Sequence, residues 1–322
     1  MCAKIGNLPK IMHEKLPSTP KPSRTDKIVG NIVYEVLAAA VPYEIVDPNG
    51  YLNQVMDVLY PWLKDSKAPG GVLIGINHTS MKDAMIGVKI INEKLTGLRR
   101  GMGIATIKYF DETRKDSHVG KVFTWVTSKL NAAKGLEVTR IVRPGEESEY
   151  YAMAEHSAVI GGKTPEAYNQ IAYSGIVKKT RREGKAVVFA PEAHRNWDGK
   201  LTRAHEVDGL LKLSGNESVF LPLGLVPVPR KEGLINKAKR LFAKIEVRVG
   251  KPMSYAELKA KTKTANEQLA PLLQRVNYNK KHPLTPLTVS DTMMLEIAKL
   301  LPEEYWGDYT EYMQLLRMSN NS

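Results

Sequence analysis

Asn77-His78-Thr79-Ser80-Met81-Lys82-Asp83 sets an imidazole and a carboxylate five positions apart, directly after the apolar run Gly71-Val72-Leu73-Ile74-Gly75-Ile76. The run reads as a buried strand, and Asp83 falls in the first turn of a helix that follows it. A histidine so placed can act as a general base, taking a proton on one ring nitrogen while the carboxylate orients the ring and stabilises the imidazolium. With 7 His in 322 residues, chance puts an Asp five positions after a His about one time in four. The plainer alternative is a solvated loop histidine followed by an aspartate that favours a helix N-terminus.

Two further segments carry charge at the ends of apolar runs. Val187-Val188-Phe189-Ala190-Pro191-Glu192-Ala193-His194-Arg195 runs from a strand into a turn holding a carboxylate and a guanidinium. In an open α/β sheet, ligands bind at the carboxyl ends of strands, where Glu192 and Arg195 could meet His78. Taken alone, the same turn could be a surface feature with a rim ion pair. Gly135 to Arg143 is a strand with Arg140 and Arg143 three positions apart, which alternation sends to opposite faces. An arginine at a strand end suits phosphate, whose oxygens match its planar fork. It could equally be an exposed sheet-edge arginine. Val219 to Pro227 is a fourth strand, whose Pro222 and Gly224 permit a bend or a close approach.

The elements that would hold these residues alternate in type. Strands are expected at 71–76, 103–107, 136–142, 186–190, 219–225 and 245–249, with a helix near 120–130 between the second and third. The pattern implies an α/β fold with a mixed, largely parallel central sheet flanked by helices. Residues 1–26 form a basic, Pro-rich tail expected to be disordered, and 27–257 form the main domain, with a helical insertion at about 145–184. Residues 258–322 read as a C-terminal helical appendage. Ahead of the sheet, Ile28, Val29, Ile32, Val33, Val36, Leu37, Ala40 and Val41 recur as one apolar helical stripe closed by Pro42.

Composition narrows the chemistry. A single cysteine, Cys2, excludes a disulfide framework or a cysteine zinc cluster and favours a reducing compartment. No signal peptide is expected, nor any apolar stretch long enough to cross a bilayer. The net charge of +13 calls for an anionic partner. Aromatic content of 7% without aromatic and basic alternation argues against nucleic acid and leaves a membrane surface or a phosphorylated substrate. No Gly-x-Ser-x-Gly elbow, complete dinucleotide fingerprint or phosphate-binding Gly-Lys-Ser/Thr loop is present, and His194 and His205 lack the spacing of metal ligands.

In order along the chain, these segments resemble the glycerol-phosphate and lysophosphatidic-acid acyltransferase family. The likeness rests on Asn77-His78 through Asp83, Arg140 at a strand end, Pro191-Glu192 with Arg195, Leu221-Pro222-Leu223, and Val249-Gly250-Lys251-Pro252. It covers about residues 28–255. Ala193 and His194 stand where the family has Gly and Thr. The resemblance implies a glycerol-3-phosphate acyltransferase-like sheet and O-acyl transfer from a coenzyme A or acyl carrier protein thioester to a hydroxyl of a glycerolipid phosphate. Lysophosphatidate is the leading acceptor and glycerol 3-phosphate the alternative, and no cofactor is implied beyond the thioester co-substrate. His78 would be the base supported by Asp83, with Arg140, Glu192, Arg195 and, in reserve, Arg143 holding the substrate. Peripheral attachment to an anionic membrane from the cytoplasm is expected, through the 28–41 stripe or the basic segment Pro229 to Lys251. The opposing class is a non-catalytic basic module for membranes or nucleic acid, which would not need both His78 and Asp83.

Overall fold

The computed structural model describes residues 22–64, 71–78, 82–95, 101–106, 118–134, 137–142, 147–154, 164–192, 198–205, 207–215, 218–226, 243–277 and 283–320. Helices α1 (Arg24–Ala40) and α2 (Tyr51–Lys64) flank β1 (Tyr43–Val46), and β2 (Val72–Ile76) leads to α3 (Lys82–Glu93). Then follow β3 (Gly101–Thr106), α4 (His118–Lys134), β4 (Glu137–Ile141), α5 (Glu147–Ala154), α6 (Pro165–Glu183) and β5 (Ala186–Phe189). The chain continues through α7 (Asp208–Ser214), β6 (Val219–Val226), β7 (Ile245–Val249), β8 (Met253–Ser254), α8 (Tyr255–Val276), α9 (Val289–Ala298) and α10 (Thr310–Asn320).

The strands form one sheet in the order β1-β7-β6-β2-β5-β3-β4, with β8 added to β6. From β6 to β4 every neighbour is parallel, while β7 and β8 run antiparallel to β6. The fold is therefore mixed α/β with a mostly parallel sheet. Parallel strands need long crossovers, and the segment 145–184 supplies one, since α5 and α6 carry the chain from β4 back across the sheet to β5. Asn169 of α6 clips the end of β4, its carboxamide pairing with both backbone groups of Val142 at 2.8 and 2.7 Å.

Every residue of β2 and β5 is buried, as expected of central parallel strands covered on both faces. Alternation divides their side chains between two cores. Val72, Ile74, Ile76 and Val188 pack with Ile86, Ile90 and Ile91 of α3. Leu73, Val187 and Phe189 pack on the other face with Phe220 and with Leu258, Met293, Met294 and Ile297 of α8 and α9. The segment after residue 258 is thus built into the main core. Glycines permit the closest approaches. A Cβ at Gly87 of α3 would overlap Val188, and one at Gly75 would overlap the Phe220 ring.

Several sequence expectations change. Strand β1 lies where the pattern showed only Pro42 ending a helix, and α1 begins earlier than Ile28, at Arg24, behind a Ser23–Asp26 capping box. The apolar stripe of α1 divides between two faces. Val33 and Leu37 are half-buried beside Tyr34 and Ala38, which with Gly30 turn inward against α4 although none of those three belongs to the stripe, whereas Ile28, Ile32 and Val36 are 53%, 59% and 63% exposed. Lys89 of α3 is buried and ties down the end of α1, donating to the carbonyls of Ala38 and Val41 at 2.8 and 3.1 Å. Its ammonium also lies 4.7 Å from the centre of the Tyr43 ring. Most of the basic segment expected at 229–251 and the first 21 residues lie outside the described residues, although Ile245 to Val249 form strand β7. No helix among the described residues is long and apolar enough to cross a membrane.

Candidate active site

Because β6, β2, β5, β3 and β4 are parallel, their carboxyl ends share one edge of the sheet. Gly75 of β2 is level with Phe189 of β5, so His78 and Glu192, each three residues further on, leave the sheet side by side. Asn77 sets the height of this exit. It is fully buried, and its carboxamide donates to the Leu225 carbonyl at 2.8 Å and accepts from the Leu225 amide at 2.7 Å. A side chain thereby adds a rung to the β2–β6 ladder beyond its last backbone pair.

His78 then meets the helix that follows it. Its Nδ1 lies 3.1 Å from Oδ2 of Asp83, in the first turn of α3. Asp83 is fully buried, while the imidazole side chain is 20% exposed. A carboxylate can only accept, so the proton of a neutral ring sits on Nδ1 and the lone pair on Nε2. The helix N-terminus favours the carboxylate charge. The isoleucines of α3 bury its inner face and Gly87 lets it lie close on β5, which together fix where Asp83 stands.

Glu192 is 1% exposed. Burial pushes its carboxyl up to about 8, while the backbone amides of His78 and Thr202 pull it part of the way back and the nearby Asp83 raises it further. Glu192 thus stands between the end of β2 and residues 201–205, close to a main-chain amide from each.

The same stretch is fastened from behind. His205 donates its amide to the Pro191 carbonyl at 3.0 Å, and the amide of Ala204 donates to the Tyr309 hydroxyl at 2.9 Å. The Arg203 guanidinium donates to both oxygens of Asp291 at 2.8 and 3.1 Å and to the Tyr312 hydroxyl at 2.8 Å. Asp291 is also the capping-box residue of α9. Sequence reasoning passed over Arg203 and Thr202, which sit in no motif. Asn77 did stand in the motif, and a carboxamide one position past an apolar strand is a signal for such a rung.

The arginines are placed less fully. Arg140 lies in β4, level with Ala105 of β3. Since β4 is three positions from β2 in the sheet, its backbone stands about 14 Å to the side of His78 at the usual strand spacing. The Arg140 side chain, Arg143 and Arg195 lie outside the described residues. The structure brings together His78, Asp83 and Glu192. Among the described residues no group of three or more His, Cys, Asp or Glu is arranged to hold a metal ion. Compared with protein-family models and with curated proteins, the chain matches none.

Proposed function

We propose that the protein is an O-acyltransferase that moves an acyl group from a thioester of coenzyme A or acyl carrier protein to a hydroxyl of a phosphorylated glycerolipid, lysophosphatidate before glycerol 3-phosphate. The observation that carries this is the part-exposed His78 held 3.1 Å from the fully buried Asp83 at the carboxyl end of a central strand. With Nδ1 engaged, Nε2 takes the proton of the acceptor hydroxyl as its oxygen attacks the thioester carbonyl. The tetrahedral oxyanion forms next to the first turn of α3, whose amides lack intrahelical acceptors. As the C–S bond breaks, the imidazolium returns its proton to the sulfur, giving ester and free thiol. No covalent acyl-enzyme is needed, and burial of Glu192, which pushes its carboxyl up to about 8, disfavours a second full charge beside Asp83.

The resemblance of Arg140 and Arg195 to the family's phosphate-holding positions, with Arg143 in reserve, supports a phosphorylated acceptor. The outward Ile28, Ile32 and Val36 support docking to a membrane that supplies it, with the +13 net charge favouring an anionic surface. The test is thiol release from acyl thioesters presented with lysophosphatidate, glycerol 3-phosphate and other lysolipids. Acceptor-dependent release is expected to fall by at least about 100-fold in His78→Ala, the lower range of a lost general base. Full activity in that variant would overturn the mechanism.

A further inference from the structure

On the side of α9 facing away from the sheet, a cavity of about 550 Å³ opens between α8, α9 and α10. It is separate from the His78 edge, because α9 stands between: Ile297 and Leu300 reach toward Gly75 and Gly224 of the sheet, while Leu295, Glu296 and Lys299 line the cavity. Its size is that of a small-molecule pocket, typically ~300–1,000 Å³.

The lining has two chemical parts. Leu295, Trp306, Met313 and Leu316 give an apolar floor in which the unbranched methionine can adapt to a chain of varied shape. At the lip, Lys261 of α8 and Lys299 reach the same oxygen of Glu296, at 3.0 and 2.7 Å. Two ammonium groups share one carboxylate, so the trio keeps a net positive charge. Each lysine carries three donors, leaving N–H groups for a second anion. Arg317 adds a third cation, stacked 4.5 Å from the Trp306 ring centre and paired with Glu303. A cationic amphiphile would meet like charge here, and a short anion would leave the floor uncovered.

We propose that this cavity binds a single-chain amphiphilic anion, its carboxylate or phosphate head between Lys261 and Lys299 and its chain along Leu295, Met313 and Leu316. The proposal stands apart from the catalytic one, since no lining residue belongs to the His78 site.

The test is equilibrium dialysis of the full chain with laurate and with lauroyl lysophosphatidate below their micelle concentrations, against dodecyltrimethylammonium and acetate. At least one of the two anionic amphiphiles is expected to bind, the ammonium amphiphile and acetate not. Laurate alone would name a carboxylate head and lysophosphatidate alone a phosphate head. The double variant Lys261→Gln/Lys299→Gln should lose about tenfold or more in affinity for one equivalent per chain, and His78→Ala should keep that equivalent. Laurate carrying a photoreactive diazirine gives an independent readout on the unaltered protein, with adducts expected on Met313 or Leu316. No binding of either anion, equal binding of the ammonium amphiphile, unchanged affinity in a folded double variant, or adducts confined to other segments would overturn the proposal.

Discussion

Glu192 is a carboxyl held out of water between two main-chain amides, and its protonation is part of the fold. Its folded value of about 8 lies above its ordinary 4.5, so the native state holds a proton that the unfolded chain releases across that interval. Stability contributed by this group is present below pH 4.5 and is lost as pH rises through about 8. The loss is at most about 1.4 kcal/mol for each pH unit in that interval, because the folded and unfolded chains differ there by one bound proton. Glu192→Gln keeps the shape and the neutral state, and is expected to remove that part of the decline. Urea unfolding of both proteins at pH 5 and pH 8 would check it, a parallel decline in the two counting against a protonated Glu192. His78 and Asp83 were legible in the sequence because their contact is local, five residues along one strand-to-helix turn. Glu192 was legible as a strand-end carboxylate, yet its partners were not, because the Thr202 amide reaches it only through the packing of residues 201–205 against Tyr309 and Asp291.

Elements were readable in proportion to how completely they are buried. The runs that became β2, β5 and β6 stand out because covered parallel strands are apolar almost throughout. Strand β1 escaped notice since it has four residues, Tyr-Glu-Ile-Val, at the sheet edge with alternate positions exposed. Helix α1 shows the limit of periodicity, because an apolar stripe broad enough to wrap the helix reports that it is apolar and not which face is covered. Gly30 settles the covered face, where a Cβ would overlap the Lys129 carbonyl of α4. The outward residues are then free to be changed. Ile28→Gln/Ile32→Gln is expected to shift stability by no more than about 0.5 kcal/mol while reducing sedimentation with anionic vesicles. Binding by the unaltered protein should weaken as salt rises. Vesicle binding that survives the double change would place the docking surface elsewhere.

At the scale of the whole molecule, the helices after residue 258 share one face of the sheet with α6 and α7 and supply much of its core. Removing them would expose Leu73, Phe189 and Phe220 and discard Leu258, Leu269, Met293 and Ile297, all now buried. Each large side chain contributes about 1.5–3 kcal/mol by burial, and a domain's net stability is only about 5–15 kcal/mol. A chain ending at residue 257 is therefore expected to lack a cooperative unfolding transition, checked by calorimetry or circular dichroism, and a sharp transition would show that the remainder folds alone. The sequence showed these helices by their own periodicity and could not show their attachment, which depends on residues far apart such as Arg203 and Asp291. One tether has a directional consequence. Lys89 grips the last carbonyls of α1 from within α3, the same helix whose first turn carries Asp83. The ridge of α1 and the imidazole of His78 are thus held at a set angle to each other, and under the proposed acyl transfer any surface on which that ridge rests would also dictate the side from which the acceptor hydroxyl arrives.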